Sequence, residues 1–280
     1  MTDGKTDGKI DGAALDGVAA TCLWTLRNRA EESMHPGSAF DDPLAERLYR
    51  GIDYDFERFG KPSQSHPLRA LALDIAIRGY LERHPAATVV ALGEGLQTTY
   101  WRLGRPGLDW LSVDLPPVID LRRRLLPAEP GMTAIPTSAL DHAWMDVPDP
   151  DRGVFISAEG LFMYLERDSV MSLITECATR FPGGQLFFDS IPAAFSSRTM
   201  KGYRMSDRYT APPMPFSLSV SEAADLPAQI PGVAAAEDLQ PPPGRKAWRS
   251  RTLRKVANLP GPRDLRPSIT LLSFATAPGQ

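Results

Sequence analysis

Gly93, Glu94 and Gly95, with Asp114 nineteen residues beyond Gly95, are the positions with the most chemistry to offer. A β-branched apolar run, Thr88-Val-Val-Ala-Leu92, ends at the glycines, and a polar stretch able to start a helix follows. This is the strand, tight turn and helix order of a nucleotide-binding βαβ unit. Glycines at 93 and 95 let backbone approach a ligand closely, and a helix start offers free N–H groups to an anionic group. Trp110-Leu-Ser-Val-Asp114 reads as a second strand with a carboxylate at its carboxyl end, placed to accept both hydroxyls of a ribose. A plain structural turn also satisfies Gly-x-Gly followed by an Asp. A nicotinamide-dependent oxidoreductase is the first alternative reading, weakened because Thr98 stands where Gly-x-Gly-x-x-Gly needs its third glycine.

These residues need a scaffold, and the chain supplies one. After the second strand come a short arginine-rich helix (Arg122, Arg123, Arg124), a strand at Met132–Pro136 and a strand at Gly153–Ser157. A helix over Asp168–Arg180 and a fifth strand at Gln185–Asp189 follow. Such alternation over residues 86–190 predicts an α/β, doubly wound, mostly parallel sheet covered on both faces, the core of the protein. Three adjacent arginines read as a solvated helix face. Residues 13–85 read as a helical N-terminal cap, with helical spacing over Ala14–Glu32, a helix starting at Asp42-Pro43 and another over Pro67–Arg83. The last would bury Leu68, Leu71, Ile75 and Leu81 on one side. Residues 1–12 read as a disordered tail, and 191–216, rich in Met and Tyr, as a lid after the fifth strand. Residues 217–280 complete the core through a possible strand at Val233–Leu239 and a closing strand at Ser268–Phe274, with a basic segment at 245–255.

At 280 residues the chain supports one large domain, or one domain with a cap, and a sizeable core. Hydrophobic residues make up 42% and charged residues 23%, ordinary for a soluble globular protein. A net charge of −3 points away from nucleic acid as the main partner. Cys22 and Cys177 have neither a disulfide framework nor a metal-ligand spacing, so no metal is expected. The start carries no signal-peptide core, and no stretch approaches the ~18 apolar residues of a membrane span. A cytoplasmic enzyme with a small-molecule acceptor and no nucleic-acid or membrane partner is expected, homodimerisation being left open. The second alternative, an RNA- or membrane-surface-binding protein, would work through the six basic residues and Trp248 of 245–255.

Three stretches carry a resemblance: Val89-Val-Ala-Leu-Gly-Glu-Gly-Leu-Gln-Thr-Thr99, Val113-Asp-Leu-Pro-Pro-Val-Ile119 and Ala158-Glu-Gly-Leu-Phe-Met-Tyr-Leu165. With Arg29-Ala30, Asp41-Asp42-Pro43-Leu44-Ala45, Arg69 and Asp74, they resemble the leucine carboxyl methyltransferase family, in its tetracenomycin-type polyketide O-methyltransferase branch. The resemblance implies a seven-stranded, Rossmann-like class I methyltransferase sheet of order third–second–first–fourth–fifth–seventh–sixth, the seventh strand antiparallel. It implies S-adenosylmethionine as cofactor, held by Arg69, Gly93, Glu94, Gly95, Asp114, Leu115, Ser138, Leu140, Asp141 and Glu159. Arg69 would hold the carboxylate, Asp114 the ribose, and Glu159 the ammonium or sulfonium end. The family commonly has Asp-Thr-Arg after the glycine turn, where this chain has Gln97-Thr98-Thr99. It also often has Asp-Leu where Ala139-Leu140 stands, so Asp141, with Ser138 nearby, would take over the adenine contact.

The implied activity is methyl transfer to a carboxylate or hydroxyl of a polyketide-like acceptor by in-line displacement. A carboxylate needs no base, whereas a phenol, with an unperturbed pKa of about 10, benefits from one. None of the four histidines, His35, His66, His84 and His142, is paired with an acid in sequence, and His35 is the base to test first. Tyr164, Met200, Tyr203, Met205, Tyr209 and Met214 are the candidate acceptor-binding residues, since thioethers adapt to flat apolar molecules and tyrosine adds a flat wall with a polar tip.

Overall fold

A computed structural model of the chain describes residues 10–12, 15, 17–104 and 107–276. Its centre is a seven-stranded sheet of β1 (Thr88–Leu92), β2 (Trp110–Asp114), β3 (Met132–Pro136), β4 (Val154–Ala158), β5 (Gln185–Ser190), β6 (Val233–Asp238) and β7 (Ser268–Phe274). The order is β3-β2-β1-β4-β5-β7-β6, and β7 runs antiparallel to both of its neighbours. This is the expected doubly wound order. The chain leaves β1 towards β2 on one side and later returns beside it as β4. The crevice opened by that reversal lies at the carboxyl ends of the strands, where ligands bind in such sheets.

Every residue of β1, β2 and β4 is buried, as central parallel strands covered on both faces require. Side chains alternate between the faces. Val89 and Ala91 pack on α3 (Ser65–Arg83) and α4 (Thr99–Leu103), while Val90 and Leu92 face α6 (Arg167–Arg180), α8 (Val220–Ala224) and α9 (Leu226–Gln229). The face that α3 buries is Leu73, Ile77, Tyr80 and Leu81, a stripe at helical spacing. Ile75 is 59% exposed, contrary to expectation, because two residues along a helix turn a side chain away from its neighbours' face.

The N-terminal helices hold the crevice from outside. α1 (Thr21–Ser33) starts later than its apolar spacing suggested: residues 17–20 form a turn, with Gly17 at φ +52°. α2 (Pro43–Gly51) begins as expected, with the Asp42 side chain accepting the Ala45 N–H at 3.0 Å. Asp42 also anchors a buried ionic cluster. Its Oδ2 accepts from Arg29 at 2.9 Å, Thr98 at 2.6 Å and Arg102 at 3.0 Å, while Arg102 grips both oxygens of Asp74. Two helices, a cap residue and the start of α4 are thereby tied together.

Three further expectations change. Ile10–Asp11 forms a short parallel pair with Ile52–Asp53, so residues 10–12 are not a free tail; residues 1–9 lie outside the described residues. Arg122, on α5 (Pro116–Leu125), turns inward and is buried, leaving only Arg123 and Arg124 exposed. One hundred degrees per residue separates neighbouring side chains on a helix, so three adjacent arginines cannot share one face. Segment 191–216 folds into α7 (Ala193–Met200) and a small hairpin, Arg204–Ser206 with Tyr209–Thr210, packed on residues 55–60. There Arg208 pairs with Asp55 at 2.7 Å, Ser206 Oγ donates to the Arg58 carbonyl, and the Tyr209 ring meets Phe59 at 4.8 Å. In the basic segment, Arg245 pairs with Glu32 through both oxygens, and α10 (Arg251–Ala257) follows. No described helix is long and apolar enough to cross a membrane.

Candidate functional site

A cavity of about 270 Å³ opens at the carboxyl ends of β1, β2 and β4. Gly93, Glu94, Gly95, Asp114, Leu115, Ser138, Leu140 and Glu159 line it, with Arg69 entering from α3 and Tyr164 from the turn after β4. Residues far apart in sequence are thus gathered around one volume. Val18 and Ala19 from the turn before α1, and Thr21, Cys22 and Thr25 from its start, close the cavity, a contribution the sequence reading missed. In the sequence Val18, Ala19 and Cys22 show only apolar helical spacing; a helix beginning at the mouth of the crevice carries no signal in its own sequence.

The turn after β1 is built on two left-handed glycines, Gly93 at φ +59° and Gly95 at φ +56°. Both are packed tightly as well. A Cβ at Gly93 would come 2.8 Å from Leu161 Cδ1, and one at Gly95 would come 2.9 Å from Cys22 Cβ. Only glycine fits on both counts. The helix that follows is a short one starting at Thr99, four positions past Gly95, so it does not present its N-terminus directly at the glycines as the sequence suggested. Asp114 faces the turn across the crevice: Oδ2 accepts the Gly95 N–H and Oδ1 the Leu115 N–H, each at 2.7 Å. Burial pushes its carboxyl above the ordinary value, against the pull of those two N–H groups and of Arg122.

Glu94 points away from a ligand role. Its carboxylate is buried 2.8 Å from Arg122 Nη2, a charge contact without good hydrogen-bond alignment. Burial raises its pKa, while Arg122 and the facing Ser112 and Trp110 side chains pull it down.

On the opposite wall, Arg69 is held by two carboxylates. Nε donates to Glu159 Oε1 at 2.9 Å and Nη1 to Asp189 Oδ2 at 2.6 Å, and Asp189 Oδ1 also accepts the Gly160 N–H at 2.6 Å. Asp189 at the end of β5 was not picked out from sequence; nothing local distinguishes it from any strand-terminal Asp. Glu159 Oε2 is buried and has no hydrogen-bond partner, and Arg69 Nη2 makes no protein hydrogen bond among the described residues. An acceptor and a donor are left at one wall of the cavity. Such a pair suits an amino acid group, whose ammonium and carboxylate need one of each.

Other candidates stand elsewhere. Asp141 is exposed and does not line the cavity; it accepts from Thr137 Oγ1 and the Ala143 N–H. Met214 is buried in a separate cluster with Met163, Ile191 and Ala211, on which Tyr203 and Met205 pack. Met200 is 55% exposed, and Tyr209 packs against Phe59 and Trp24. None of these five lines the cavity: Met200 faces outward from α7, and the other four pack on neighbours of their own. His35 is no base here: Nδ1 bonds the Pro36 carbonyl and Nε2 accepts from Arg245. His66, one turn before Arg69, is buried, with its pKa held well below the ordinary value by burial and by Arg69 and Arg29. Asn28 Oδ1 accepts the Ser63 N–H, so its Nδ2 must donate to His66 Nδ1 at 2.6 Å. That nitrogen is an acceptor already in use, and the neutral ring carries its proton on Nε2.

A family model for leucine carboxyl methyltransferase matches residues 22–178. Over 227 residues the chain is 31% identical to the tetracenomycin polyketide synthesis O-methyltransferase TcmP of Streptomyces glaucescens, covering 80% of this chain and 83% of that protein. It is 29% identical over 247 residues to the S-adenosyl-L-methionine-dependent methyltransferase dpfgK of Gibberella zeae, covering 80% and 82%. Among solved structures, a DUF574 family protein from Streptomyces avermitilis aligns with a TM-score of 0.53 at 14% identity, over 89% of this chain and 96% of that one. That last likeness concerns fold.

Proposed function

The chain belongs to the leucine carboxyl methyltransferase family and is an S-adenosylmethionine-dependent methyltransferase, and we propose that its acceptor is an oxygen of a small, polyketide-like molecule. Membership replaces the nicotinamide-dependent and basic-patch readings. The observation that supports a cofactor site at this place is the meeting of Gly93, Gly95, Asp114, Arg69 and Glu159 around one cavity.

In this reading Asp114 binds the ribose hydroxyls and the glycine turn admits the nucleoside against backbone. The free Arg69 Nη2 takes the amino acid carboxylate, and the unpartnered Glu159 Oε2 takes its ammonium. Leu115, Ser138 and Leu140 flank the adenine, while Asp141 stays with Thr137 and Ala143. The cofactor supplies a methyl group on a sulfonium, already activated for displacement. What remains for the protein is alignment of the acceptor oxygen with that methyl, a positioning effect. The start of α1 and Tyr164 form the near wall of the acceptor side.

Oxygen is favoured by the name of the Streptomyces glaucescens relative and by the groups around the cavity. Burial pushes the Cys22 thiol and the Tyr164 phenol up to about 12, so neither takes up a proton from an acceptor at neutral pH. No histidine lines the cavity among the described residues. An acceptor that is already anionic, a carboxylate or an acidic enol or phenol, fits this setting. The test uses methyl-labelled S-adenosylmethionine with matched aryl carboxylic acids, phenols and amines. A base-labile methyl ester or a base-stable methyl ether is expected; label on nitrogen alone overturns the assignment.

A second expected result concerns Glu159→Gln. Arg69 keeps Asp189, so the wall stays assembled, but the group facing the ammonium loses its charge. Cofactor affinity should fall about tenfold, the difference between charged and neutral hydrogen bonds, as read by calorimetry. An unchanged affinity would assign the ammonium to another acceptor.

A further inference from the structure

Gly95, Leu96 and Gln97 lie between the end of β1 and the start of α4, where neither a ladder nor a helix supplies donors. Among the described residues no backbone N–H is bonded to any of their three carbonyls. Two arginines from different elements take them instead. Arg122 Nη1 donates to the Gly95 carbonyl at 2.7 Å and to the Gln97 carbonyl at 3.1 Å. Arg29 Nη2 donates to the Leu96 carbonyl between them at 2.6 Å. The Gly95 N–H goes to Asp114. The turn is gripped from both sides.

We infer that Arg122 is a positioning residue of the cofactor site, holding the 93–97 turn at a set distance from Asp114. The inference rests on the cofactor reading above. Arg122 does not line the cavity, so any effect it has on the cofactor acts through the turn. It is well placed for that. α5 starts at Pro116, two residues after Asp114, so the guanidinium and the Asp114 carboxylate belong to one short rigid unit. Asp114 holds the peptide before Gly95 through its N–H and Arg122 holds the peptide after it through its C=O, which leaves the Gly95 φ and ψ between them little freedom.

Glu94 completes the device. Its carboxylate lies against Arg122 and both side chains are almost wholly buried. With both groups ionised the pair carries no net charge, so the brace brings no uncompensated charge to a site that must also hold the cofactor's charged groups. This accounts for an acidic residue between two glycines whose carboxylate is taken up by an arginine. Removing the guanidinium would leave buried carbonyls without donors, and the turn would relax until they found some, moving Gly95 relative to Asp114.

The experiment compares wild type, Arg122→Gln and Arg122→Lys in two measurements. Hydrogen exchange of the 93–98 amides is followed without cofactor, and S-adenosylmethionine affinity is measured by calorimetry alongside kcat at saturating cofactor. With Arg122→Gln, exchange in the turn should accelerate and Kd should rise about tenfold or more, one charge-assisted hydrogen bond's worth. The value of kcat at saturation should stay within about threefold, because the aligned complex is the same once formed. Lysine keeps the charge beside Glu94 but has a single nitrogen, so Arg122→Lys should fall between the two. Should Arg122→Gln not fold, Arg122→Lys carries the test. A folded variant with wild-type exchange in the turn and wild-type Kd overturns the inference, as does a loss confined to kcat. Failure of the wild type to bind S-adenosylmethionine would instead overturn the cofactor reading.

Discussion

Asp114→Ala should weaken S-adenosylmethionine binding by on the order of 2–3 kcal/mol, about 30- to 150-fold, in a protein that stays folded. The carboxylate is the charged acceptor proposed for both ribose hydroxyls, and its oxygens also hold the N–H groups of Gly95 and Leu115. The substitution therefore removes a ligand contact and one side of the grip on the glycine turn. Folding should survive because Asp114 closes no buried ion pair; its partners are backbone groups at the edge of a cavity that water can enter. Asp114→Asn keeps the shape, loses the charge and should fall between wild type and the alanine variant. pH adds an independent check. Burial raises the Asp114 pKa, and only the ionised form accepts from two hydroxyls. Protonation dominates below that raised value, so wild-type affinity should decline on acidification at a higher pH than an exposed aspartate would cause. The asparagine variant should lack that component. Calorimetry on a folded alanine variant with undiminished affinity would move the ribose contact elsewhere.

Asp42→Ala should have the largest effect on stability, about 3–5 kcal/mol, the cost of removing one partner from a buried ion pair. Arg29 is fully buried and Asp42 is its carboxylate partner, so among the described residues the variant leaves the guanidinium with Thr98 and the Leu96 carbonyl. Arg102 loses less, since Asp74 holds it through both oxygens. The cap on α2 disappears as well. Burial works to raise the Asp42 pKa, yet Arg29, Arg102, Thr98 and the Ala45 N–H together hold it below the ordinary value. A carboxyl depressed on folding contributes stability above its unfolded pKa of about 3.9, lost as pH falls through the lower folded value. Wild type should therefore lose this contribution in strong acid, and Asp42→Ala should lack it at neutral pH. Urea denaturation at pH 7 measures the difference; a change under about 1 kcal/mol would show that the cluster holds without its central carboxylate.

Why an exposed pair such as Arg208–Asp55 deserves no comparable expectation follows from the same reasoning. Both side chains are more than half exposed, so solvent screens the attraction and breaking it strands nothing.

The sequence by itself determined the scaffold and half of the site. Strand positions follow from local apolar runs such as 88–92 and 154–158, and their alternation with helices calls for a mostly parallel sheet covered on both faces; the order of its strands followed only from the family resemblance. Gly93, Gly95 and Asp114 were legible too, because a left-handed turn at the end of one strand and an acid at the end of the next are tied to residue type. Asp42-Pro43 announced a helix start for a similar reason. The tertiary structure alone decided which charges meet. Arg122 looked like one of three solvated arginines, and its inward turn depends on where α5 lies against the glycine turn. Arg69 was assigned to a ligand, yet it lies between Glu159 and Asp189, 90 and 120 residues away, with one nitrogen to spare. The tyrosines and methionines of 191–216 were read by composition as a pocket lining, but side chains suited to an adaptable pocket are equally suited to packing a hairpin. Periodicity and turn chemistry act between neighbours in the chain and are written there, whereas ion pairing and burial act between neighbours in space.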